Sequence, residues 1–210
     1  VELIEQADIV IAGEVLPSLP DIIEPTRFCA RWPAKVLCSI STFGATSSRK
    51  NWAGNELIAE AMAGLISCTG YPEKPPVCSG VPYAMHVTAL FAFAGILAAL
   101  REKERSGHGQ WLDVAVVDCL VTLLGNFIPS YFLSGRSPKR VGNRHTTAAA
   151  GNLYETSDRY AVICTGSGTG WWQKITKIIG RPDLIDDPRY QTDMTRVAHV
   201  EEVDRIISEW

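Results

Sequence analysis

Residues 87–100, VTALFAFAGILAAL, constrain this chain more than any other segment. So long an apolar run has to leave water, yet it is shorter than the roughly 20 residues that span a bilayer. A charged run, REKER at 101–105, follows it directly. The pattern predicts a core helix from about Tyr83 to Arg105 rather than a membrane span. Pro82 is tolerated in a first helical turn, and Gly107-His108-Gly109 closes the far end.

A buried helix needs a buried sheet beside it. Two short apolar runs, ADIVIA at 7–12 and KVLCSI at 35–40, read as buried strands. WLDVAVV at 111–117 adds a third with strand-like alternation. Ser41-Thr42-Phe43-Gly44 reads as a turn, 56–66 carries helical spacing, 69–80 with Pro72, Pro75 and Pro76 is a loop, and 118–133 reads as another apolar helix. The polar segment 134–151 holds Gly135, Pro138, Gly142, Gly151 and four basic residues, which marks a linker. It separates a domain at 1–133 from a second at 152–210. The second holds a strand at 160–164, a helix at 171–179, an Arg181-Pro182-Asp183 turn and a helix from about Val200. Strands alternating with helices predict an α/β fold with a largely parallel sheet.

Composition narrows the function. At 210 residues the chain can bury a core without disulfide or metal staples. Net charge is −3 and basic residues are scattered, which argues against a nucleic-acid surface. The six cysteines (Cys29, Cys38, Cys68, Cys78, Cys119, Cys164) show no Cys-x-x-Cys spacing. They read as buried thiols in a reducing compartment, the cytoplasm. The chain begins at Val1 and stops at Trp210 inside a helical pattern, and is expected to be the middle of a longer protein.

Local chemistry names no reaction. Gly166-Ser167-Gly168-Thr169-Gly170 lies between a predicted strand and helix, but Trp171 replaces the glycine a dinucleotide loop needs. A helix-capping turn fits better, with Asp186 and Asp187 as chance matches to ribose ligands. His86 on the apolar helix reads as a core histidine. Asp113 and Asp118 flank a strand-to-helix junction, where a capping or surface role outweighs catalysis. His145 in the basic link fits a functional and a bland role equally.

Read in order, several segments resemble the class III CoA transferases, the CaiB/BaiF family. They are ADIVI at 7–11, CSISTFG at 38–44, ELIAEAMAGL at 56–65, Gly80-Val81-Pro82, GILAAL at 95–100 and GHGQWLDV at 107–114. Gly142-Asn143-Arg144-His145, YAVI at 160–163, GRPDL at 180–184 and DDPRY at 186–190 complete the series. The resemblance implies a full protein about twice this length. It implies a Rossmann-like large domain, a smaller domain reached through long linkers, and two interlocked chains. CoA thioester would enter as substrate, with no other cofactor, and the CoA-contacting segment would include Gly54 and Glu56.

The resemblance also implies a reaction. An aspartate carboxylate attacks the donor thioester to give a mixed anhydride, and the freed CoA thiolate converts this to an aspartyl-CoA thioester. An acceptor carboxylate then takes the CoA through a second anhydride. In this family the aspartate stands ten residues before the glycine of GILAAL. Counting back from Gly95 reaches Met85. Elsewhere Gly13, Glu14 and Val15 stand where the family has Asn-Phe and an arginine. Ala45 replaces a glutamine, Ala53 a basic residue, and Asn55 the histidine of the racemase members.

Three readings follow. The chain is a family protein with a lost nucleophile, working as a subunit or half beside one that keeps the aspartate. Or it is an active transferase with a displaced carboxylate, Glu14 or Glu56. Or it binds acyl-CoA or scaffolds a partner without turnover.

Overall fold

The apolar runs pair as a parallel sheet. The computed structural model describes residues 1–13, 24–164, 168 and 170–210. Strands β1 (Ile9–Gly13), β2 (Val36–Ser41) and β3 (Trp111–Ala115) lie in the order β1-β2-β3, all parallel. Cys38 sits between Ile11 and Leu112 in register. Val36, Leu37 and Cys38 of the central strand are fully buried, as expected for a strand flanked on both sides. The class is α/β with a parallel sheet, as the alternation predicts, and it fits the Rossmann-like domain that the family resemblance implies.

The long helix is α5 (Tyr83–Ser106), closed by Gly107 at φ +77. Its inner stripe, Ala84, Thr88, Ala92, Ile96 and Ala99, is buried at i, i+4 and i, i+3 spacing. Ala92 and Ile96 pack with Cys38, Ile40, Leu112 and Val114 of the sheet. By length and composition α5 is apolar enough to cross a membrane; Ala92 and Ile96 of its buried stripe pack on β2 and β3, and Ala84 packs against Ala59, Ala63, Val116 and Leu120. Its opposite face exposes Leu90, Phe93 and Leu97.

Other helices are shorter than the sequence predicts. The 56–66 pattern divides into α3 (Glu56–Ala63) and α4 (Leu65–Cys68), because Gly64 turns left-handed at φ +91. The 118–133 pattern divides into α6 (Val116–Val121), a 3-10 turn at Thr122–Leu124 and α7 (Phe127–Ser134), with Gly125 at φ +49 between them. Among the described residues two helices precede β2: α1 (Glu2–Gln6), and α2 (Pro25–Arg31), in a part of the sequence that Pro17, Pro20 and Pro25 break up. Glu24 caps α2, accepting from the Thr26 and Arg27 amides at 3.2 and 2.8 Å.

The chain forms two compact units. The first comprises Val1–Cys68 and Val77–Pro138, the second Thr69–Pro76 and Lys139–Trp210. In the second, β4 (Asn152–Glu155) and β5 (Tyr160–Ile163) pair antiparallel, followed by α8 (Gly170–Ile178), α9 (Asp193–Ala198) and α10 (Val200–Glu209). Trp172, Leu184, Tyr190 and Val203 form its core. Arg196 is fully buried, with its guanidinium over the Trp171 and Trp172 rings and ion-paired to Asp193. The loop 69–76 joins this unit through Arg140, which donates to the carbonyls of Tyr71, Pro72 and Lys74 at 3.1–3.2 Å.

The thiols depart from expectation. All six are free, but only Cys38 and Cys119 are buried; Cys78 and Cys164 are exposed. Cys164 follows a β5 whose residues mostly face outward, with Tyr160 and Val162 exposed, so an apolar neighbourhood in sequence did not mean burial.

Candidate functional site

Active-site loops of open parallel sheets gather beyond the carboxyl ends of the strands. Here that region holds the loop after β2. Asp113 on β3 accepts from the Ala45 amide at 2.8 Å and from the Thr46 amide and hydroxyl at 3.1 Å. Gly44, at φ +85, lies where a Cβ would sit 3.3 Å from the Ala115 Cβ. The loop is thus fastened down on β3. Neither expected aspartate caps a helix: Asp113 anchors this loop, and Asp118 is exposed in the first turn of α6, which has no side-chain cap.

The loop ends at the residues singled out for CoA. A Cβ at Gly54 would stand 2.5 Å from the Thr42 Cβ and Cγ2, so the glycine is required by packing against the end of β2. Asn55 caps α3, its Oδ1 accepting from the Ile58 amide at 2.9 Å. Glu56 and Glu60, one turn apart on α3, both face the segment that leads into α5. Glu56 Oε1 accepts from the Ala84 amide at 2.9 Å, and Glu60 Oε2 from the Ser79 amide at 3.1 Å. Glu60 is only 3% exposed. Burial and the negative charges of Glu60 and Glu56 push the Tyr83 phenol up. Glu56 therefore clamps the first turn of α5, and Glu60 the segment that leads into it.

Met85 is the third residue of α5 and is 63% exposed. It follows directly on Ala84, whose amide Glu56 holds. A thioether there can neither form an anhydride nor carry CoA. His86 is exposed too, rather than a core residue as expected, and its Nδ1 donates to the Pro82 carbonyl at 2.7 Å. Behind the turn, burial raises the Cys119 thiol pKa and makes it a poor nucleophile.

The remaining candidates lie elsewhere. Glu14, Gly166, Ser167 and Thr169 fall outside the described residues. Gly168 donates its amide to Asp193 Oδ2 at 2.8 Å. Asp187 is held by Arg189 at 2.7 Å. His145 belongs to the second unit, where its Nδ1 accepts from the Thr147 amide at 3.2 Å. Among the described residues no cluster of three His, Cys, Asp or Glu side chains is placed to hold a metal. The loop-anchoring role of Asp113 escaped the sequence because its partners lie 67 and 68 positions away.

The profile of CoA-transferase family III matches residues 1–210, the whole chain. The chain belongs to that family. A succinate–glutarate CoA-transferase of Agrobacterium fabrum is 36% identical over 176 residues, covering 84% of this chain and 44% of that protein. A succinyl-CoA–D-citramalate CoA-transferase of Chloroflexus aurantiacus is 33% identical over 178 residues, covering 85% of this chain and 44% of that protein. The crystal structure of a CAIB/BAIF family protein from Brucella suis superposes with a TM-score of 0.78 at 32% identity, covering 99% of this chain and 56% of that one. The chain therefore spans less than half the length of these curated relatives.

Proposed function

We propose that this family III protein takes part in moving CoA between an acyl-CoA thioester and a carboxylic acid, as a subunit or half whose own nucleophile is lost. The observation that supports this reading is the first turn of α5. Met85 stands exposed where the family resemblance places the aspartate, and the neighbouring carboxylates, Glu56 and Glu60, are taken up by backbone amides. A carboxylate that attacks a thioester must be placed to within about an ångström, since misplacement by that much can slow a reaction on the order of a hundredfold. Glu56, bonded to the Ala84 amide, is a clamp rather than a displaced nucleophile. On this reading the aspartate comes from a related chain, in a homologous assembly in the cytoplasm. CoA thioester is the substrate and no further cofactor is used.

Trapping tests it. The protein is incubated with a panel of acyl-CoA thioesters, quenched with hydroxylamine and peptide-mapped by mass spectrometry, beside an active relative. Hydroxylamine turns an acyl-activated carboxyl group into a hydroxamate. The expected result is a hydroxamate on the relative and none on this chain, whereas a hydroxamate on Glu14 or Glu56 would make the chain an active transferase. Met85→Asp supplies the converse, with a new hydroxamate expected at position 85.

A further inference from the structure

The second unit owns a loop whose two ends run into the first. Residues 69–76 group with Lys139–Trp210, while Cys68 before them and Val77 after them belong to the first unit. Segment 140–143 clasps this loop. Arg140 Nε donates to the Tyr71 carbonyl at 3.1 Å, and its Nη2 to those of Pro72 and Lys74 at 3.2 and 3.1 Å. The Gly142 amide donates to the Gly70 carbonyl at 2.9 Å, and Asn143 Nδ2 to the Tyr71 hydroxyl at 3.0 Å. A Cβ at Gly142 would stand 2.6 Å from the Tyr71 ring, so backbone and ring lie in close contact.

The chain leaves this clasp at Lys74 and is caught again at Ser79. Between them stand Pro75, Pro76, Val77 and Cys78, all exposed. A proline fixes its own φ at about −65° and holds the residue before it extended. Lys74, Pro75 and Pro76 therefore have little backbone freedom. At the far end Glu60 accepts from the Ser79 amide at 3.1 Å, and Glu56 from the Ala84 amide at 2.9 Å. The Tyr83 amide closes the turn between them on the Val81 carbonyl at 2.8 Å. The backbone from Ser79 to Ala84 is thus pinned to α3 and tied by a proline link to Arg140. A flexible link would absorb a displacement in its own freedom, whereas a short, proline-stiffened one passes it on.

We propose that residues 69–78 form a strut through which Arg140 of the second unit positions the first turn of α5, and with it residue 85. Arg140 is a positioning residue, acting on that turn only by holding the other end of the strut. Its place in CoA transfer rests on the reading above, that residue 85 stands at the site of transfer; the coupling itself does not.

Amide hydrogen exchange of the isotope-labelled full chain, followed by NMR, tests the strut. Arg140→Gln is expected to speed exchange at the Gly142 amide roughly five- to tenfold, the loss of about one net hydrogen bond. It is also expected to speed the Ser79 amide about threefold, although Glu60, the partner of that amide, is untouched. The Ala45 amide, held by Asp113, is the reference and is expected to stay unchanged. Arg140→Lys, which keeps donors for the carbonyls, is expected to restore most of the protection at Gly142 and Ser79. Glycine at both Pro75 and Pro76 is expected to speed Ser79 by itself and to erase the further effect of Arg140→Gln there, while the effect at Gly142 persists. That non-additivity is the signature of coupling. Where Arg140→Gln loses the near-ultraviolet circular dichroism of the tryptophan core, Asn143→Ala takes its place, and the same pattern is expected at smaller amplitude. An unchanged Ser79 beside a faster Gly142 overturns the proposal, as does an unchanged Gly142. So does a Ser79 effect that survives the two glycines, which means another route, or an equal rise at Ala45, which means general loosening. Failure of Met85→Asp to take a hydroxamate would remove the transfer reading and leave the strut standing, whereas an unchanged Ser79 removes the strut and leaves that reading.

Discussion

Replacing Gly54 with alanine would put a methyl group 2.5 Å from the Thr42 Cβ and Cγ2, at the junction where β2 meets the loop leading to α3. Two effects of opposite sign compete there. Alanine restricts the unfolded chain and by itself stabilises by about 0.4–1 kcal/mol where its backbone fits. Forcing extra carbon into a packed contact costs about 1–3 kcal/mol. Thr42 is buried and has a β-branched side chain with little freedom to turn away, so the collision wins. Gly54→Ala is expected to lower the urea midpoint with an unchanged slope, by a net of roughly 1–2 kcal/mol. An unchanged midpoint would show that the loop shifts freely, and Gly54 would then have to be explained by a ligand's close approach. Glu56 carries the same lesson. A carboxylate in a matching family segment draws a functional reading, and its partner is the backbone amide that begins a helix.

At the level of elements, Tyr154 ties β4 to α10 by donating its hydroxyl to Asp204 at 2.6 Å. Burial, and then the bond and negative charge of Asp204, raise the Tyr154 phenol far above its ordinary value. Burial likewise pushes Tyr190 up to about 12, with the Glu202 carboxylate adding to it. The folded-state pKa exceeds the unfolded one in both, so the stability they contribute is fully present below the unfolded value. It is lost as pH rises through the folded one. Unfolded tyrosines release their protons near pH ~10, and from there upward the unfolded state binds fewer protons and gains ground. Urea melts of the chain at rising alkaline pH are expected to show falling stability, less steeply in Tyr154→Phe. A parallel fall in the two proteins would remove Tyr154 as a cause. Elements of this kind were unevenly legible in the sequence. β2 and α5 were readable because their apolar runs coincide with buried faces, whereas β4 carries no such run and the apolar β5 faces outward. The division of 118–133 was not, since a left-handed Gly125 inside an apolar run leaves no periodic trace. Pro25 and Glu24 did carry a signal for α2, proline in a first turn after a capping acid, but Pro17 and Pro20 break up the sequence just before it. Asp113 and Asp204 were illegible as anchors because their partners are brought together only by the fold.

For the whole molecule, the decisive quantity is apolar surface that this chain does not cover. Leu90, Phe93 and Leu97 on the outer side of α5 are 68%, 60% and 50% exposed, opposite the stripe that packs on the sheet. Large apolar patches of this kind mark interaction surfaces on soluble domains. Burying each such side chain is worth about 1.5–3 kcal/mol. The chain also covers under half of the curated relatives it matches. The exposed face favours an occupant, and we propose for it the second, interlocked CoA-transferase chain that the family resemblance implies. The face can be altered without touching the sheet contacts, because the buried positions Ala92 and Ile96 point the other way. Leu90→Glu with Phe93→Glu is therefore expected to keep the helical circular-dichroism spectrum. In light scattering after size exclusion, the wild-type chain is expected to run heavier than its 23.0 kDa monomer, and the double variant at that mass. A monomeric wild type would remove the homodimer and leave the heteromer, in which a chain that keeps the aspartate is the only remaining source of the nucleophile. A double variant that still assembles would place the contact on another face, and α5 would then owe its apolar side to something other than a partner chain.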